Sequence, residues 1–180
     1  ILNGYIVSTV NSLTNKANKK PGIDIFARHS GILNSQKEFR WIRTPDFNCP
    51  PFVCAYKRVF YIESPKSIRV FVSADERYQL YLDGKFMGAG SERGDTQNWF
   101  FESYDLDLSA GLHTIIAKVW ALGDRAPMAQ ISLNPCSFTL LTQEHKHLKT
   151  LATGYSDWYC STLDGFSMHQ VPFAFAVSWR

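Results

Sequence analysis

Between Tyr56 and Leu133 apolar and polar positions alternate in short bursts. Val59-Phe60-Tyr61-Ile62, Ile68 to Val72, Tyr78 to Lys85, Tyr104 to Leu108 and Thr114 to Trp120 are rich in aromatic and β-branched residues, with turn residues between them. A period of two puts Ile68, Val70 and Val72 on one side of a strand, and Arg69 and Phe71 on the other. Asp83-Gly84, lying between Tyr78–Leu82 and Lys85–Met87, predicts a two-residue hairpin, because a type I′ turn needs positive φ at both central residues. Trp99 to Leu108 reads as another strand, turned by Ser109-Ala110-Gly111 into the next. Ala129 to Leu133 and parts of Ser137–Thr142 and Leu148–Thr153 alternate again. With no helix-length amphipathic pattern beside them, these runs predict an all-β fold, an antiparallel two-sheet β-sandwich.

The flanking chain is less regular. Tyr5 to Val10 could form a strand, but the rest of residues 1–38 carries no clear period, and that stretch is expected to be an N-terminal extension or part of a neighbouring domain. The sandwich is expected over residues 39–180, starting at Phe39-Arg40-Trp41-Ile42-Arg43. Pro45, Pro50 and Pro51 keep the following segment out of helix and central strand. Two polar loops stand out: Gly88 to Asn98, with three glycines, and Ala121 to Pro127, which carries Asp124 and Arg125. Starting at Ile1 and ending at Ser178-Trp179-Arg180, the chain reads as a segment of a longer polypeptide.

Composition narrows the function classes. An apolar content of 45% excludes disorder, and 13 Phe, 8 Tyr and 5 Trp exceed what a core of this size needs, so some rings belong in an interface or a ligand groove. The net charge of +3 is small and the basic residues are dispersed apart from Lys16, Lys19 and Lys20, so no nucleic-acid partner is expected. No apolar run reaches the roughly 18 residues of a membrane helix, and no membrane partner is expected either. Cys49, Cys54, Cys136 and Cys160 form no zinc pattern; free, mostly buried thiols are the ordinary reading, with a Cys49–Cys54 bridge around Pro50-Pro51 as the alternative.

Catalytic chemistry is harder to find. Asp105 and Asp107 share a strand face, but a general acid and base need a fixed separation across a cleft, and near a strand end one of them is expected to bond the turn at Ser109 to Gly111. Asp157 and Asp164 read as turn residues. His145 and His147 beside Glu144 could ligate a metal from a strand, yet Lys146 and Lys149 make a solvated connector the plainer reading. Ser91, Ser156 and Ser161 lack a nucleophile elbow, and the glycines at 88, 90 and 94 lack the ending of a phosphate loop. No catalytic residue, metal site or cofactor is expected. Binding is better supported: Trp99, Phe100, Phe101 and Tyr104 adjoin a loop bearing Arg93, Asp95, Gln97 and Asn98, and aromatic faces beside planar hydrogen-bonding groups suit sugar rings. Alternating members of this aromatic run, Phe100 or Phe101, are expected in the core between the sheets.

Several stretches together resemble a known family: Tyr56 to Phe60, Val70 to Lys85 with Ala74-Asp75-Glu76-Arg77-Tyr78 and Asp83-Gly84, Glu102 to Ala117 with Tyr104-Asp105 and Leu108-Ser109-Ala110-Gly111, and Gly154-Tyr155-Ser156-Asp157-Trp158-Tyr159. Over about residues 41 to 160 they are similar to the galactose-binding-like jelly-roll domains that lie N-terminal to the catalytic domains of bacterial α-L-rhamnosidases and related glycoside hydrolases. The resemblance implies a non-catalytic accessory domain that packs on a catalytic barrel of the same polypeptide and contacts rhamnose-containing carbohydrate. It also implies an extracytoplasmic (periplasmic or secreted) location. No catalytic residue carries over, since in that family the acid and base belong to the barrel. For sugar contact the candidates are Arg93, Asp95, Trp99 and Arg125. A ligand-free structural module is the alternative, docking a neighbouring domain through exposed aromatics such as Trp41, Trp179, Phe173 and Phe175.

Overall fold

A computed structural model describes residues 5–6, 8–10, 39–45, 50–90, 100–123, 136–169 and 178–179. Its strands are β1 (Tyr5–Ile6), β2 (Ser8–Val10), β3 (Trp41–Arg43), β4 (Phe52–Ile62), β5 (Lys66–Ala74), β6 (Arg77–Leu82), β7 (Lys85–Gly90), β8 (Glu102–Leu108), β9 (Gly111–Ala121), β10 (Phe138–Thr142), β11 (Tyr159–Thr162), β12 (Met168–His169) and β13 (Ser178–Trp179). Among the described residues they form a sheet of order β1-β11-β4-β9-β6-β7, here called sheet A, and a sheet of order β2-β3-β10-β5-β8, sheet B. All the pairings are antiparallel, and β12 with β13 makes a separate small ribbon. The chain is an all-β, two-sheet antiparallel sandwich.

The period of two decides which residues meet. Inward positions of β4 (Cys54, Tyr56, Phe60, Ile62), β9 (Ile115, Ala117, Val119) and β6 (Tyr78, Leu80) face Val70 and Val72 of β5, Leu106 and Leu108 of β8, and Phe138 and Leu140 of β10 in one core. Aromatic rings fill its middle: Tyr56 stacks on Phe138 at 5.6 Å between centroids, and Phe138 lies 5.5 Å from Trp158. The Tyr56 hydroxyl donates to the Cys136 carbonyl and accepts from the Thr44 N–H, so its buried oxygen is satisfied, and burial pushes its pKa well up.

The two expectations for the cysteines both fail at Cys54. It is bonded to Cys136, next to β10, so the bridge joins the two sheets and closes a separation of 82 residues. Loop closure of that length stabilises by about 4.5 kcal/mol in the chain-entropy picture. Cys160 is a buried free thiol, and Cys49 lies outside the described residues. The Asp83-Gly84 turn has φ of 49° and 79°, the type I′ pattern. Residues 5–6 pair with β11 of sheet A, while residues 8–10 pair with β3 of sheet B. The alternating stretch Leu148–Thr153 is not a strand: Leu148–Leu151 is a short helix, α1, preceded by a 3-10 turn at His145–His147. Its one buried side chain, Leu151, joins the core.

Candidate functional site

Arg93, Asp95, Trp99 and Arg125 all lie outside the described residues, as does Ala129 to Leu133. What the structure describes is where their loops are rooted. The segment 91–99 leaves from Gly90 and returns at Phe100, and the segment 124–135 leaves after Gly123 and returns at Cys136. Gly90 pairs with Tyr78, and Tyr78 in turn pairs with Val119 on β9. The Ser73 hydroxyl donates to the Phe100 carbonyl at 2.7 Å, and the Asp75 N–H donates to the Ser137 carbonyl at 2.9 Å. Buried Glu76 accepts from the Leu122 N–H at 2.6 Å through Oε2. All four roots therefore gather around the β5–β6 turn, at one end of the sandwich.

A polar cluster stands beside the first root. The Tyr78 hydroxyl donates to Glu102 Oε2 at 2.6 Å and lies 3.1 Å from the Tyr104 hydroxyl. Tyr78 has one proton to give, so Tyr104 is the donor in the second bond. Burial first, and then the Glu102 charge, raises the Tyr78 pKa; burial is also the main cause of the rise at Tyr104. Both phenols are thus neutral, Tyr104 donating to Tyr78 and Tyr78 to the Glu102 carboxylate, a relay that fixes Glu102 in place. Glu102 and Tyr104 belong to β8 at the edge of sheet B, yet they reach β7 at the edge of sheet A. A Cβ at Gly90 would collide with Glu102 Oε2, and one at Gly88 would stand 2.7 Å from the Tyr104 ring. Glycine at 88 and 90 therefore lets the open side of the sandwich be closed by side chains.

The other candidates resolve individually. Asp105 does not bond the turn after β8; it forms a two-pronged pair with Arg69, its cross-strand partner, on the exposed part of sheet B. Glu144 is paired with Lys146, and among the described residues no group of His, Cys, Asp and Glu is arranged to hold a metal ion. Trp41 is buried, which removes it from the exposed aromatics. The Trp179 side chain, Phe173 and Phe175 lie outside the described residues. Phe101 is buried as expected, but not between the sheets: it packs edge-on against Phe71 at 5.2 Å and 6.1 Å from Phe39, on the outer side of sheet B.

At the opposite end of the sandwich His113 joins two turns. Its Nδ1 is 2.7 Å from Asp83 Oδ2 and its Nε2 is 2.9 Å from the Ser109 carbonyl. Both partners are acceptors, so both ring nitrogens carry protons and the imidazolium is favoured. The Asp83 bond, followed by the Ser109 bond, raises the His113 pKa. For Asp83 burial acts upward, but the bonds from His113 and the Thr114 N–H prevail and lower its pKa. These contacts tie the turn between β6 and β7 to the turn between β8 and β9.

Sequence reasoning missed the outer face of sheet A. Leu112 is 71% exposed, Tyr61 64%, Phe86 53% and Tyr159 44%, and all lie on this face with half-buried Val59, Ile116, Tyr81 and Trp120. The strands of sheet A (β1, β4, β6, β7, β9 and β11) contain no Asp or Glu at any position. That signal was in the sequence, but only sheet membership turns it into a surface.

No family model and no curated protein matches the chain. Solved structures do. A GH78 family rhamnosidase of Bacillus sp. GL1 matches with a TM-score of 0.54 at 19% identity, covering 70% of this chain and 13% of that enzyme. A lectin from Pleurotus ostreatus matches at 0.40 and 19% identity over 69% of this chain and 32% of the lectin. An α-L-rhamnosidase from Aspergillus terreus matches at 0.41 and 13% identity over 67% of this chain and 16% of that enzyme. The first of these shows a shared sandwich fold, and this chain spans only about an eighth of that protein's length.

Proposed function

We propose that this chain is a carbohydrate-related accessory β-sandwich domain, of the galactose-binding-like jelly-roll kind, belonging to an α-L-rhamnosidase-like glycoside hydrolase. It packs on the catalytic domain of the same polypeptide and contacts rhamnose-containing carbohydrate through the loops at 91–99 and 124–135. The observation that carries this reading is the backbone match to a small part of the Bacillus rhamnosidase, which covers most of this chain. The gathering of both loop roots at one end supports it, since loops held by a rigid scaffold are where binding groups concentrate. In this role Arg93, Asp95 and Arg125 supply hydrogen bonds and Trp99 a stacking face. The bridge between Cys54 and Cys136 fits an oxidising, extracytoplasmic compartment.

The test is a titration of the chain with rhamnose and rhamnosyl oligosaccharides, followed by tryptophan fluorescence. A saturable shift in the wild type that is lost in Trp99→Ala and weakened in Arg93→Ala is expected. An absent shift, or one unchanged in Trp99→Ala, removes the sugar site.

A further inference from the structure

The outer face of sheet A combines rings and cations in a definite order. Register places Tyr159, Lys57, Ile116, Tyr81 and Phe86 side by side across β11, β4, β9, β6 and β7. Four strand spacings of ~4.8 Å make this row roughly 19 Å long. Tyr81 is held within it, edge-on to Phe86 at 5.6 Å and bonded through its hydroxyl to Gln79. One rung over, Ala55, Lys118 and Gln79 are side by side, so Lys118 is a diagonal neighbour of Lys57. Lys118 Nζ lies 5.5 Å from the centre of the Phe166 ring. Neither lysine pairs with a carboxylate among the described residues, and the strands of the sheet offer none.

The geometry points to this face as a platform for an acidic polysaccharide, a uronate-bearing glycan whose ring faces lie on Tyr159, Tyr81 and Phe86 while its carboxylates meet Lys57 and Lys118. Aromatic faces take the C–H side of a pyranose ring, and ammonium groups on acid-free strands, unpaired among the described residues, attract an anion. A protein partner fits less well. Protein interfaces place an apolar centre inside a charged rim, whereas here Lys57 and Lys118 stand on β4 and β9, the two central strands of sheet A. The row from Tyr159 to Phe86 uses strand side chains and none of the loop residues Arg93, Asp95, Trp99 and Arg125, so it is tested apart from the proposed rhamnose site even though the 91–99 loop leaves from Gly90 at the end of β7.

Affinity electrophoresis and calorimetry with oligogalacturonate test this, with neutral galacto-oligosaccharide and polyglutamate as comparators and sedimentation to report self-association. The wild type is expected to bind oligogalacturonate at least tenfold more tightly than either comparator, with affinity falling as salt rises. Lys57→Glu with Lys118→Glu abolishes that binding, Tyr159→Ala weakens it severalfold at unchanged melting temperature, and Trp99→Ala leaves it intact. Equal binding of polyglutamate reduces the effect to bulk charge or an acidic protein partner and overturns the proposal. So does equal binding of the neutral glycan, indifference to the lysine changes, or a dimer that buries the face. Loss in Trp99→Ala would move acidic-glycan binding to the loops and equally overturn it.

Discussion

The sandwich has two outer faces, and the chain treats them differently. On sheet B, outward Trp41, Phe71, Ser73, Thr139 and Leu141 are all buried, although none belongs to the core between the sheets. Phe101 and Phe39 cover Phe71, and the Thr153 hydroxyl reaches from the segment after α1 to the Arg40 carbonyl at 2.6 Å. Where this cover ends, at Arg69 and Asp105, the surface becomes an ion pair. On sheet A the outward positions from Lys57 to Tyr61 and from Leu112 to Trp120 are half-buried or exposed, and apart from Thr114 they are aromatic, aliphatic or cationic. One face is thus a second small core closed by the chain itself, with Arg69 and Asp105 paired at its margin. The other keeps apolar area exposed beside half-buried lysines that have no carboxylate partner among the described residues, which contributes little to folding and leaves surface for something else.

This contrast predicts unequal mutational costs. Phe71→Ala removes a buried ring from the covered face and should cost about 3–5 kcal/mol in urea unfolding. A cost near that of a surface substitution would mean that the cover on sheet B is loose. Next comes the seam between the faces. Gly88→Ala sets a methyl group against the Tyr104 ring and should cost about 1–3 kcal/mol. Combined with Tyr104→Ala, which vacates that space, the two costs should add to less than their sum. Strict additivity would deny the close approach.

How much of this was legible depended on the range of the interaction. The Asp83-Gly84 turn could be read because positive φ is a property of two adjacent residues. The strands around Val70 and Ile115 could be read because a buried face repeats every second residue. Leu148–Thr153 was misread because six residues fit a strand period and one helical turn about equally; Leu151 is buried from a helix. The Cys54–Cys136 bond could not be read, since stacking of the sheets, not spacing along the chain, sets the pairing. Phe101 was assigned to the right environment on the wrong side of its sheet, because alternation separates two faces without saying which one meets sheet A. The acid-free strands went unnoticed for a similar reason: β4, β9, β6, β7 and β11 are not consecutive in sequence.

Smaller effects sharpen the contrast. Thr153→Val keeps the shape but withdraws the donor to the Arg40 carbonyl and the acceptor for the Leu140 N–H. About 1–2 kcal/mol of stability should be lost, toward the lower part of the range for buried groups because the Thr139 hydroxyl remains 3.3 Å from the same carbonyl. At the turn end of sheet A the tie between His113 and Asp83 makes stability depend on pH. The raised His113 pKa contributes stability that is complete below its unfolded value of about 6.5 and is lost as pH rises through the folded value. The lowered Asp83 pKa contributes stability that is complete above about 3.9 and is lost as pH falls through its folded value. Urea midpoints should therefore be highest between these limits and fall on the alkaline side, and His113→Gln should flatten that alkaline fall. An alkaline limb unchanged in His113→Gln would remove the tie as its cause.

The smallest expected effect tests the open face itself. Tyr61 and Leu112 are cross-strand partners and both largely in solvent. If nothing in the chain covers them, replacing them with Thr and Ser removes little buried area, and β-branched Thr suits an exposed strand position. The double variant should shift stability by less than about 0.5 kcal/mol, against several for Phe71→Ala on the other sheet. A loss comparable to that of Phe71→Ala would mean that a further part of the chain lies over sheet A. The two faces would then be equivalent second cores, and the aromatic and cationic row between Tyr159 and Phe86 would have no open surface from which to act.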